Sequence, residues 1–258
     1  MARTTGVTRL QQLGLAVGPT SPVHFVMEGD RHLTIPGVFL HRTVEMPPID
    51  DVGVRPCAAF VAFCATARML DAIAVGDWLL QRKHLTLAEL DAFIGDQPWR
   101  RGAGEAAWVF VHLRLGSRSI RESHTRAMVV CAGLPEPRCN APVLVAPEVT
   151  VLADLWFKRW RAAVEYEGEQ HQEDREQYVA DIDRYTLYRR AGVGYRQVTK
   201  ELMRSPRAVV RTVHELLVEC GYDGPPPRFG DQWDQLFTRL SRVVPRRRPP
   251  AATRAAVS

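Results

Sequence analysis

The sequence predicts an α/β (α+β) protein, in which a small mixed domain precedes a larger domain with the order helix, three strands, helix, strand, helix. Short apolar runs bounded by turn residues predict strands in both halves. Apolar residues at helical spacing predict the helices between them. A chain of 258 residues is long enough for two cores. The expected boundaries are a flexible arm at 1–22, a small domain at 23–101, a larger domain at 105–222 and a tail at 223–258.

The first half contains mostly weak signals for secondary structure and a few clear ones. Residues 1–20 show little apolar periodicity and end in Gly-Pro-Thr, which favours a loose arm. Residues 23–26 and 37–42 have the composition of short strands. Residues 66–82 place apolar side chains at helical spacing, and a capping-box spacing at residues 86–89 predicts the start of another helix. The Gly-Ala-Gly segment at residues 102–104 is expected to be a linker.

The second half has stronger signals for secondary structure. Ser119 is placed to begin a helix, and Gly192 to end a later one. The proline- and arginine-rich tail beyond Pro225 is expected to be disordered. The predicted elements are a helix at 119–131, strands at 142–146, 149–157 and 161–167, a helix at 172–190, a strand at 195–199 and a helix at 205–221.

Charge and composition limit the classes of partner. The formal net charge is +5 and the sequence pI is near 9.1. A basic protein suits a polyanion such as DNA, because arginines that neutralise phosphates release counterions. Arginine far outnumbers lysine, which occurs only at 83, 158 and 200, so a GC-rich coding bias explains the same balance equally well.

The cysteines and the apolar patterning predict a cytoplasmic protein. The five cysteines form no CxxC pair, so neither a disulfide framework nor a zinc site is indicated. The N-terminus lacks the pattern of a secretory signal, and no run approaches the ~18 apolar residues that span a bilayer. The sequence leaves the oligomeric state open.

Acidic side chains interrupt two apolar strands of the second half. Glu165 and Glu167 lie two residues apart and therefore share one face of their predicted strand. Asp154 interrupts the preceding strand, so pairing of the two strands would bring three carboxylates together, on the sheet face away from Val164 and Leu155. An all-oxygen cluster suits Mg²⁺ or Mn²⁺. Alternatively, the two glutamates face solvent on an edge strand.

Three further polar positions have both a structural and a functional interpretation. Glu122 occupies the third position after Ser119, so it either belongs to an acidic site or reaches back to the capping amide. His171 follows the acidic strand in a predicted loop, where histidines are usually solvated. Asp181 and Arg184 are expected to form an exposed ion pair on the following helix.

These acids and their neighbours resemble a family of uncharacterised nuclease domains related to very-short-patch-repair (Vsr-like) endonucleases. The resemblance rests on Glu122, on the Ala-Gly-Leu-Pro-Glu-Pro run at 132–137, on Ala-Asp-Leu at 153–155, on Val-Glu-Tyr-Glu-Gly-Glu-Gln-His at 164–171 and on Asp-Ile-Asp-Arg at 181–184. It covers roughly 105 residues in the same order. It implies a PD-(D/E)xK, restriction-endonuclease-like core, in which a mixed sheet is flanked by helices.

The resemblance also implies roles for individual residues. Glu122 would be the helix acid, Asp154 the metal-bridging aspartate, Glu165 the second strand acid and His171 the proton acceptor. Glu167 departs from the pattern, because most such nucleases have a lysine at that position. The expected function is metal-dependent hydrolysis of DNA, with Mg²⁺ or Mn²⁺ held by these four acids.

The first half resembles, more weakly, the domain that precedes this module in AbiEi-type antitoxin-like proteins. The likeness lies in Gly-Val-Phe-Leu-His-Arg at 37–42 and in Ala-Ile-Ala-Val-Gly-Asp at 72–77. The segment ahead of Val23 is too short for a complete winged helix. A second possible function is therefore a DNA-binding regulator or antitoxin-like protein whose nuclease core is catalytically silent.

Overall fold

A computed structural model describes residues 1–30, 33–167 and 184–245, and it confirms a mixed α/β fold. The fold contains a three-stranded sheet of order β1-β2-β3 and a four-stranded sheet of order β4-β5-β6-β7. In the first sheet, β1 (Arg3–Thr4) pairs antiparallel with β2 (Val23–Glu28), and β3 (Val38–Thr43) pairs parallel with β2. Helix α1 (Gly6–Gln12) connects β1 to β2.

Four helices follow the first sheet in the first half of the chain. The predicted helix at 66–82 is α3 (Met69–Gln81), and the predicted capping box begins α4 (Leu87–Asp96). Thr86 accepts a hydrogen bond from the Glu89 amide, and the Glu89 carboxylate accepts one from the Thr86 amide. The sequence patterns did not indicate the other two helices, α2 (Pro56–Cys64) and α5 (Ala103–Phe110).

The second half follows the predicted order of elements. Antiparallel pairing joins β4 to β5 and β5 to β6, and parallel pairing joins β6 to β7, so the sheet is mixed. Residues 184–190 form the described part of a helix, α7. The remaining elements are α6 (Ile120–Cys131), β4 (Arg138–Ala146), β5 (Val149–Phe157), β6 (Ala162–Glu167), β7 (Gly194–Thr199), α8 (Pro206–Glu219), α9 (Asp231–Leu236) and α10 (Leu240–Val243).

The prediction of a flexible arm at 1–22 is wrong for its first part. Leu10 and Leu15 are buried, and the buried Arg9 guanidinium lies 2.7 Å from the Asp50 carboxylate. The strand that pairs with β1 and the carboxylate that pairs with Arg9 both lie far along the chain. Local periodicity therefore carried no signal for them.

The predicted linker at 102–104 and the predicted disordered tail also differ from the structure. Gly102 begins α5 with a φ of +97°, and a Cβ there would lie 1.9 Å from the Val61 carbonyl oxygen. Glycine is therefore required by a close helix contact and not by a flexible joint. In the tail, α9 and α10 bury Trp233, Leu236 and Leu240, while residues 246–258 lie outside the described part.

One cluster of buried apolar residues runs through both halves of the described chain. It includes side chains of α2, α3 and α5 from the first half and of α6, β5 and α8 from the second. A second, smaller cluster packs Ala163 and Trp156 against Tyr188 of α7 on the other face of the sheet. All five cysteines are free thiols. In the described ranges, no helix combines the length and the apolar character needed to cross a membrane.

Candidate acidic site

Three of the predicted acids lie together where β5 and β6 approach the start of α6. Glu122 comes from the first turn of α6, Asp154 from β5 and Glu165 from β6. All three side chains line one narrow cleft. The other residues that line it are Thr125, Leu155, Val164, Tyr166 and Val198.

The pairing of β5 with β6 brings two of these acids together. Leu155 lies opposite Val164 in the antiparallel register, so the next position along each strand places Asp154 near Glu165. Asp154 accepts a 2.9 Å hydrogen bond from the Tyr166 amide, which fixes its carboxylate at the end of the paired segment. Strand β6 is internal to the sheet, and Glu165 is 6% exposed. The edge-strand alternative is therefore wrong for Glu165.

The cleft spans the end of the strand pair and does not lie on one face of the sheet. Leu155 and Val164 pack in the core shared with α6, yet they line the same cleft as the acids. Glu165 instead reaches Tyr188 on the face covered by α7. The expectation that the acids lie on the face away from Leu155 and Val164 therefore holds for Glu165, whereas it is wrong for Glu122, which comes from α6 on the face of Leu155 and Val164. Period two orders side chains along a strand, but it does not say where the paired segment ends.

The pKa of the Glu165 carboxyl is strongly shifted by its surroundings. It accepts a 2.9 Å hydrogen bond from the Tyr188 hydroxyl and a 3.1 Å hydrogen bond from the Arg184 guanidinium. Burial and the neighbouring charge of Asp154 nevertheless raise the pKa of Glu165 to about 7. The group is therefore held near the midpoint of its titration at neutral pH, which is typical of functional carboxyls.

Glu122 serves both the helix terminus and the acidic cluster. Its amide donates to the Ser119 hydroxyl at 3.1 Å, as the capping pattern predicts. Its carboxylate, however, accepts from the Arg118 amide at 2.8 Å and from the Asn140 side chain at 2.6 Å. Burial, followed by the charge of Asp154, raises the pKa of Glu122. Capping and membership of the cluster are thus compatible.

The structure places the two other predicted site residues differently. Glu167 is the last residue of β6, is partly exposed and is not among the residues that line the cleft. Residues 168–183 lie outside the described part of the chain, so the roles predicted for His171 and for the pair of Asp181 with Arg184 stay predictions.

Three contacts of the site had no clear signal in the sequence. Arg184 contacts Glu165 although it was expected to pair with Asp181. Tyr188 is fully buried and faces the sheet, whereas Tyr185 is 47% exposed. Asn140 adopts a φ of +46° and reaches Glu122 from β4. Asn140 lies before the strand predicted at 142–146, so no local pattern indicated its role.

The chemistry of the cleft fits a hard divalent cation, although the described side chains do not form a complete ligand set. The donors are carboxylate oxygens, which Mg²⁺ and Mn²⁺ prefer, and the repulsion between them is what a cation would relieve. Among residues 1–30, 33–167 and 184–245, no three acidic, histidine or cysteine side chains are grouped as metal ligands. Asp154 and Glu165 would be the first to hold a cation, with Glu122 beside them.

Comparisons with known proteins add no identification. No family model, curated protein or solved structure matches this chain.

Proposed function

We propose that the protein is a metal-dependent endonuclease that hydrolyses phosphodiester bonds in DNA. The observation that supports this most is the clustering of Glu122, Asp154 and Glu165, which come from three separate elements. Asp154 raises the pKa of both glutamates, so each carboxyl lies within the electric field of another. Buried acids that repel one another destabilise a fold and are retained mainly where function uses them.

Each residue has a distinct role in this proposal. Asp154 and Glu165 would hold one or two Mg²⁺ or Mn²⁺ ions, and Glu122, with Glu167, would complete or orient the shell. The bound metal would polarise the phosphate and lower the pKa of water. His171 would accept the proton of the attacking water. The basic balance of the chain, with a net charge of +5, would favour association with DNA.

A second function is supported by the contacts of Glu165. Arg184 and Tyr188 already satisfy this carboxyl, so an internal cation partly replaces the metal. A core stabilised in this way would suit a DNA-binding regulator or antitoxin-like protein with a silent nuclease fold. The two proposals differ in what Arg184 does. In the nuclease Arg184 would leave Glu165 when that carboxylate holds a cation, whereas in the regulator Arg184 would stay.

Nicking of supercoiled plasmid in Mg²⁺ or Mn²⁺ tests the nuclease. The wild-type protein should nick, and Asp154→Asn should lose at least ~10²-fold in rate, since it keeps an acceptor for the Tyr166 amide but removes the charge. Asp30→Asn, which alters an exposed partner of Arg42, is the matched control. Equal traces of nicked product from wild type and Asp154→Asn would exclude the enzyme.

Calorimetric titration with Mn²⁺ separates the two proposals. In the nuclease, Arg184→Gln removes a competitor for Glu165, so the affinity for Mn²⁺ should rise or stay the same. In the regulator, neither wild type nor Arg184→Gln should bind Mn²⁺ in the cleft, and both should leave plasmid intact while binding DNA.

A further inference from the structure

A second cavity lies between the start of α8 and helix α9. Its volume is about 300 Å³, which is at the lower end of the ~300–1,000 Å³ range of small-ligand sites. Trp233 is buried and Phe237 is partly buried, whereas Arg204 and Arg207 are exposed. The cavity therefore combines an aromatic interior with a cationic rim. Its lining residues are Arg204, Ser205, Pro206, Arg207, Trp233 and Phe237.

The rim arginines differ from several other arginines of the protein in their partners. Arg126 and Arg196 are held by carboxylates at 2.9 and 2.7 Å. In the described part of the chain, Arg204, Arg207 and Arg211 form no salt bridge of this kind.

The surroundings of the rim order one arginine and leave room for an anion. The guanidinium of Arg207 lies 5.3 Å from the centroid of the Phe229 ring. This stacking orients the guanidinium but, unlike a carboxylate, does not neutralise its positive charge. Glu201, which precedes Arg204 by three residues, and Asp231 and Asp234 of α9 are all exposed, and solvent screens them. Glu201 nevertheless lies close enough for Arg204 to contribute to lowering its pKa, after hydrogen bonds within its own turn and from Thr199.

An aromatic cavity edged by guanidinium groups matches the chemistry of a nucleotide. A base can stack on an aromatic ring, and an arginine can bind the adjoining phosphate through two parallel hydrogen bonds. In a duplex the base faces are already stacked and paired. An unpaired nucleotide is therefore the form that can enter the cavity.

A hydrogen bond joins the residue that precedes Arg204 to the acidic cleft. Met203, the neighbour of Arg204, accepts a hydrogen bond at 3.7 Å through its sulfur from the Thr125 hydroxyl, and Thr125 lines the cleft. We propose that the cavity binds an unpaired nucleotide of the DNA strand that enters the cleft, an assignment that rests on the proposed nuclease function for its biological purpose.

Fluorescence anisotropy in EDTA tests the cavity without requiring catalysis. The probes are a labelled single-stranded oligo(dT) and a fully paired duplex of equal length. Arg207→Gln and Phe237→Ala should each weaken binding of the single strand by about tenfold, with a smaller effect on the duplex. Arg190→Gln, which removes an exposed arginine on α7, controls for general loss of charge. Thermal denaturation identifies any variant that is not folded.

The possible results separate this proposal from the nuclease proposal. Selective loss of single-strand binding in Arg207→Gln supports the cavity even if the wild-type protein never nicks plasmid. Wild-type affinity of folded Arg207→Gln for oligo(dT) overturns the cavity even if nicking persists. Equal weakening by Arg207→Gln and Arg190→Gln also overturns it, because the binding would then be non-specific attraction.

Discussion

Two groups of buried charges lie one turn apart on α6, and they are satisfied in different ways. Arg126 is almost fully buried and donates to Asp77 at 2.9 Å, to Glu136 at 3.1 Å and to the His112 carbonyl at 2.8 Å. Here a single cation connects two acids and both halves of the chain. At Glu122, four residues earlier, the neighbouring charge is the carboxyl of another acid, Asp154.

The two groups differ in the charges that counteract the effect of burial on the carboxyl pKa. Burial raises the pKa of Asp77, and the charge of Arg126 is the largest opposing effect. Burial also raises the pKa of Glu165, but there the charge of Asp154 adds to it and Arg184 opposes it only in part. Buried charges of opposite sign, as around Arg126, stabilise the fold. An excess of buried carboxylates leaves a repulsion between them that a bound cation can relieve. Helix α6 therefore carries a structural network at Arg126 and a candidate site at Glu122.

The largest expected effect is on the matched network. Arg126→Met leaves Asp77 buried without its cation, and we expect the free energy of unfolding to fall by about 3–5 kcal/mol. Urea denaturation at pH 7 measures it. Arg196→Met is the control, because the Arg196–Glu219 pair is largely exposed and is expected to contribute ~0–1 kcal/mol. Equal losses from the two variants would contradict the structural role of the network.

The next largest effect is the dependence of folding stability on pH that Glu165 causes. Because its pKa is raised to about 7 in the folded state, stability is greatest below the unfolded-state pKa and falls as pH rises through about 7. Glu165→Gln removes this dependence and keeps an acceptor for Tyr188. Without metal, we expect the wild type to lose roughly 2–3 kcal/mol more than Glu165→Gln between pH 4 and pH 8.

Urea denaturation at several pH values in EDTA measures this difference. Glu219→Gln, which changes a carboxyl that is 59% exposed, should follow the wild-type curve. Parallel curves for wild type and Glu165→Gln would mean that the repulsion from Asp154 is relieved in some other way.

A smaller gain in folding stability is expected from metal binding at the acidic cleft. The Arg126 network, whose charges are already matched, should not contribute to this gain. Mg²⁺ or Mn²⁺ at ten times its dissociation constant should stabilise the wild type by ~1.4 kcal/mol and flatten its pH dependence. Glu165→Ala should abolish the shift, while Glu219→Gln should retain it. Differential scanning calorimetry measures both. An identical shift in Glu165→Ala would place the metal elsewhere.

The smallest effect compares the ends of two helices. Thr86 and Glu89 cap α4 reciprocally, whereas at α6 the Ser119 hydroxyl accepts from Glu122 but the Glu122 side chain turns to the Arg118 amide. Ser119→Ala should cost ~1 kcal/mol, similar to Thr86→Ala. Only Ser119→Ala should also shift the pH dependence associated with the acidic cleft. A shift of the same size in Thr86→Ala would contradict this link.

The local part of the site was predictable because it depends on spacing along the chain. The position of Glu122 in the first turn of α6 follows from Ser119, and the neighbouring positions of Asp154 and Glu165 follow from two consecutive strands. Consecutive strands commonly pair, so this inference needed no long-range information. Arg184 was expected to pair with Asp181 and Tyr188 was given no role, because helical periodicity alone left the orientation of α7 around its axis uncertain.

The sequence by itself determined the α/β class, the order of elements in the second half and which acids interrupt apolar strands, since these depend on periodicity, caps and turns within a few residues. Tertiary structure decided which charges meet. Arg126 lies 49 residues from Asp77, and Arg9 lies 41 from Asp50. It also decided that residues 3–15 and α9 fold, because their stability comes from distant apolar partners. Short segments with weak periodicity acquire structure only when the rest of the chain covers them.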